Sequence, residues 1–67
     1  MTINVSPFAT NVLDLVDVPL LTGDGYPVTV KREGMDFVIY INGNLHFKTS
    51  DNLNASYSLN MLQVRYQ

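Results

Sequence analysis

The chain has 67 residues, 46% of them hydrophobic and 15% charged, with a formal net charge of −2. With no cysteine and one histidine, disulfides, thiolate metal centres and a structural zinc site are not expected. Lys and Arg number 4 against 6 carboxylates, which argues against nucleic-acid binding, since phosphate contacts need clustered cations.

The N-terminal segment offers Thr2 to Val5 as a short edge strand. Ser6-Pro7 then reads as a helix entry, with Ser as N-cap and Pro at the first helical position. Phe8, Val12, Leu15 and Val16 would share one face of that helix, and Pro19 would end it. The β-branched run Asn11 to Val18 supports a strand as the competing reading, so residues 7–17 stay open between helix and strand. Thr22-Gly-Asp-Gly-Tyr-Pro27 is a loop, punctuated by two glycines and a proline.

Pro27-Val-Thr-Val-Lys-Arg32 alternates apolar and polar residues, as a half-buried strand does. The next turn is Glu33-Gly34 or Gly34-Met35, and either gives the same faces. The first choice sets Lys31 opposite Asp36 as an exposed ion pair. Phe37 to Ile41 follows as a strand apolar on both sides, and Asn42-Gly43 is the dipeptide favoured by a type I′ hairpin loop. Counting outward pairs Ile41 with Asn44, Tyr40 with Leu45, Ile39 with His46, Val38 with Phe47 and Phe37 with Lys48. Val28, Val30, Phe37, Ile39 and Ile41 then form the internal core face. Val38, Tyr40, Leu45 and Phe47 form the other face, the candidate protein interface, with Tyr26 in the glycine loop as a further candidate contact.

Ser50 to Ser56 reads as a loop by composition. Over residues 55–66, Tyr57, Leu59 and Met61 alternate in one phase and Leu62, Val64 and Tyr66 in the other. A strand with a bulge at Met61-Leu62 is favoured. The helical alternative rests on Ala55, Leu59, Leu62 and Tyr66 at helical spacing.

These elements predict a single small β-rich or all-β domain over 1–67. It would be an antiparallel meander of about four to five strands, barrel- or sandwich-like, with one short N-terminal helix as an option. A domain this small buries only about 60% of its unfolded surface and usually needs reinforcement from disulfides, metal or association. With the first two absent, association remains. The low charge, below the roughly 25% of ordinary domains, suits a subunit that lives against other protein surfaces.

No residue set carries a catalytic or ligand signature. His46 falls among polar neighbours, and Ser50 and Asp51 are not framed by any nucleophile motif. Asp51, Asn52 and Asn54 match part of a calcium loop but lack its glycine and terminal Glu. Asp14 and Asp17 read as a solvated pair, and Gly23-Asp24-Gly25 has no helix after it to make a phosphate site. Neither enzyme activity, cofactor nor metal is expected. The partner is read as protein, a second copy or other subunits, with no nucleic acid and no membrane. No apolar run approaches a membrane span and no signal peptide is visible, so a virion or host cytoplasm is the expected location. The functional expectation is a structural subunit of a larger assembly, a virus or phage particle being the natural host. A small soluble inhibitor or adaptor that masks a site on another protein is the alternative.

Overall fold

The computed structural model describes residues 11–67. A 3-10 turn, η1 (Val12–Leu15), precedes β1 (Leu20–Leu21), β2 (Pro27–Glu33), β3 (Asp36–Ile41) and β4 (Asn44–Thr49). The helix α1 (Asn52–Met61) and β5 (Arg65–Tyr66) complete the chain. The strands form one antiparallel sheet in the order β4-β3-β2-β1-β5, which bears out the small β-rich architecture. The strand and helix entry expected over residues 2–7 lie outside the described residues.

The central hairpins follow from turn chemistry. Asn42 and Gly43 adopt φ 54 and 79, the left-handed pair that a type I′ loop requires. The β2–β3 loop is Gly34-Met35, with Gly34 at φ 63, and it sets Glu33 opposite Asp36. Lys31 therefore faces Val38 rather than Asp36. It reaches instead to Asp17 at 2.7 Å, while Asp36 draws Lys48 at 3.7 Å.

One residue changes the far hairpin. Tyr40 pairs with Leu45 and Ile39 with Phe47, so His46 is a bulge with no partner opposite it. Beyond it every predicted pair moves by one: Val38 faces Lys48 and Phe37 faces Thr49. Phe47 therefore crosses to the core side of the sheet.

Val12 and Leu15 of η1 and Ala55 and Leu59 of α1 pack on that side against Val28, Val30, Phe37 and Ile39. Leu20 and Val64 complete the buried cluster, with Ile41 and Leu62 packed at its margin. The expected core face is thus the observed one, and Ile39 is fully inaccessible.

In the described part of the segment left open between a short helix and a strand, residues 11–18 form a single 3-10 turn and neither an α-helix nor a strand. Asn11 caps η1 by accepting from the Leu13 N–H, and Asp17 turns the chain at φ 64 while its N–H donates to the Val30 carbonyl at 2.9 Å. Among the described residues the strand-like pairing there is a single bridge from Val16 to Val30.

The segment read as a loop and then a bulged strand is largely α1. Asp51 accepts from the Leu53 N–H at 2.9 Å as N-cap, satisfying a donor that the first turn leaves free. Asn52 Oδ1 accepts from the Val12 N–H at 3.0 Å and so pins η1 to the start of the helix. At the other end Gln63 takes φ 53, its N–H donates to the Asn60 carbonyl, and the Val64 N–H donates to the Leu59 carbonyl at 3.2 Å. This is a Schellman ending, accompanied by burial of both Leu59 and Val64. The helix wins despite its Asn and Ser content because Ala55 and Leu59 fill the core beside Val12.

Candidate functional site

The five candidate contacts do not form one surface. Val38 is only 1% exposed although it lies on the face away from η1 and α1. One bond crosses that face at its row. The Tyr40 hydroxyl donates to Glu33 Oε2 at 2.7 Å, and in register Tyr40 sits opposite Thr29, four residues along β2 from Glu33. At about 3.4 Å per residue that gap is bridged by two long side chains reaching toward each other past the Lys31–Val38 row. The flanking Lys31 and Lys48 bring aliphatic stems to the same place. At 1% exposure Val38 presents almost no surface to a partner, unlike the candidate contact read from alternation. The hydrogen bond from the phenol to Glu33, then desolvation and the negative charge of Glu33, hold the Tyr40 pKa above its ordinary 10.0.

Leu45 stays on the Tyr40 face and is 63% exposed. Phe47 is 36% exposed on the opposite face, where the bulge puts it. Both lie on β4, which ends the sheet among the described residues, so this strand shows an apolar side chain on each side. His46 is exposed between them.

Tyr26 lies apart from β4. It belongs to the β1–β2 loop and lines a cleft of about 300 Å³ with Asp24, Ile41, Met61, Leu62 and Gln63. The loop is tightly bonded: the Thr22 N–H donates to the Tyr26 carbonyl at 2.8 Å, and the Tyr26 N–H to Thr22 Oγ1 at 3.0 Å. The Gly25 N–H returns to the Thr22 carbonyl at 2.9 Å. A Cβ on Gly23 would lie 2.7 Å from Gln63 Oε1, so a larger residue there would displace the end of the Gln63 side chain.

Sequence reasoning missed Met61, 82% exposed, and Leu53, 49% exposed, which fall on the outer side of α1. Their signal was the i, i+8 spacing within a helix, hidden while the segment read as loop and strand. The residues weighed for calcium serve the fold instead, Asp51 as N-cap and Asn52 as the tether to Val12. Among the described residues no group of three His, Cys, Asp or Glu side chains could hold a metal. None of their helices is long and apolar enough to cross a membrane. Comparison with protein-family models, curated proteins and solved structures finds no match for this chain.

Proposed function

We propose that the chain is a non-enzymatic structural subunit that joins a larger protein assembly by pairing a partner strand with the edge that β4 presents among the described residues. The observation that carries this reading is the coincidence of edge position with exposed apolar side chains, Leu45 on one face and Phe47 on the other. Strand addition draws affinity from main-chain hydrogen bonds and specificity from the alternating side chains, and β4 offers both. The bulge at His46 and the charge of Lys48 are the usual guards of an edge, so the pairing is selective rather than open-ended. A particle built of many subunits, such as a virion or phage, is the kind of assembly that uses such a module. Sedimentation velocity of the wild type and of Leu45→Asp tests the reading. The wild type is expected to self-associate in the micromolar range and the variant to remain monomeric with its fold intact.

A further inference from the structure

We propose that the cleft between the β1–β2 loop and the C-terminal end of α1 receives an arginine side chain from a protein partner. This takes up Tyr26 but stands on residues outside β4, so it succeeds or fails independently of the edge-pairing reading. At about 300 Å³ the cleft is at the lower end of the range for small-molecule sites, the scale of one long side chain rather than a cofactor.

Its wall and its rim differ in chemistry. Ile41 and Leu62, both partly buried, and the pliable Met61 supply an apolar track for the methylene stem. At the rim stand the Tyr26 ring, 52% exposed, and the Asp24 carboxylate two residues before it. A guanidinium stacks on an aromatic face and bonds a carboxylate with two parallel N–H groups, so this pair suits arginine better than lysine.

Charge points the same way. Neither ion pair among the described residues uses Asp24. The last turn of α1 carries no basic residue to offset its negative end. The nearby Arg65 holds the Gly23 carbonyl through Nη1 at 3.1 Å and does not line the cleft. The bonded loop fixes Asp24 and Tyr26 in advance, which lowers the ordering cost of binding.

The test is an amide-resolved NMR titration of the full chain at low salt with the peptide acetyl-Gly-Arg-Gly-amide. The norleucine counterpart serves as control, and Asp24→Asn as the variant. Saturable shifts are expected at Asp24, Gly25, Tyr26 and Gln63 with the arginine peptide, and about fivefold weaker binding for either the control or the variant. An unchanged spectrum away from the loop establishes that the variant is folded. Equal binding of the norleucine peptide, undiminished binding by Asp24→Asn, or the absence of saturable shifts in the wild type would overturn the proposal.

Discussion

The hydroxyl of Tyr40 reaches Glu33 Oε2 at 2.7 Å, spanning the row of Lys31 and Val38 on the sheet face away from η1 and α1. Val38 lies outside the buried cluster beneath η1 and α1, yet it is 1% exposed. Alternation alone marks this face as open, yet its central valine is buried and a tyrosine–glutamate bond crosses the same row. The outward apolar surface of the hairpin is consequently reduced to the two sides of β4.

Tyr40→Phe should keep the ring but lose the bond that anchors it to Glu33. The expected result is a lower unfolding midpoint and faster hydrogen exchange around Val38, with secondary structure unchanged. Because the folded pKa of Tyr40 is raised, its bond contributes fully below the unfolded pKa near 10 and fades as pH rises through the folded value. Wild type should therefore lose stability in the alkaline range more steeply than Tyr40→Phe. Parallel pH profiles for the two proteins would count against the anchor.

Asn52→Ala should destabilise the domain by about 1–3 kcal/mol, because it leaves the Val12 N–H without its acceptor at the edge of the core. Asp51→Ala should cost about 1 kcal/mol through loss of the N-cap. Urea denaturation measures both. If Asn52→Ala were silent, η1 would not depend on the tether to α1.

These two residues also explain what the sequence alone could not supply. Ser50 to Ser56 is polar and reads as a loop, because Asn and Ser favour local backbone bonding over helix. Here Asp51 and Asn52 spend that capacity on capping α1 and on holding η1, a contact 40 residues apart in sequence. No local pattern reveals such a partner. The hairpin at Asn42-Gly43 was legible because its turn needs only local chemistry, and so was the core face of Val28, Val30, Phe37 and Ile39. The bulge at His46 was not legible: counting outward from the loop assumes an unbroken ladder, and one extra residue moves Phe47 to the other face. Leu20–Leu21 and Arg65–Tyr66 are too short to show alternation and become strands only by pairing with each other and with β2.

Gln63→Gly should hold or raise stability by up to about 1 kcal/mol, since Gln63 occupies the left-handed position that ends α1 and glycine enters it without strain. Thermal unfolding monitored at the helix band checks this. A clear loss would mean that the Gln63 side chain packed beside Gly23 outweighs the backbone strain.

Ile39→Asp should abolish folding, because it places an unpaired charge in the fully inaccessible centre of the core, a change that exceeds the 4–5 kcal/mol reach of ordinary substitutions. Circular dichroism of the purified variant gives the answer directly. A folded Ile39→Asp would reverse the assignment of the two sheet faces.

Association through β4 is tested most directly by sedimentation velocity across the micromolar range for wild type and Leu45→Asp, with thermal melts alongside. Leu45 is 63% exposed, so the variant should keep its stability to within about 0.5 kcal/mol. A concentration-dependent oligomer is expected in the wild type and a monomer in the variant. A wild type that stays monomeric throughout, or an oligomer that Leu45→Asp leaves untouched, would contradict it.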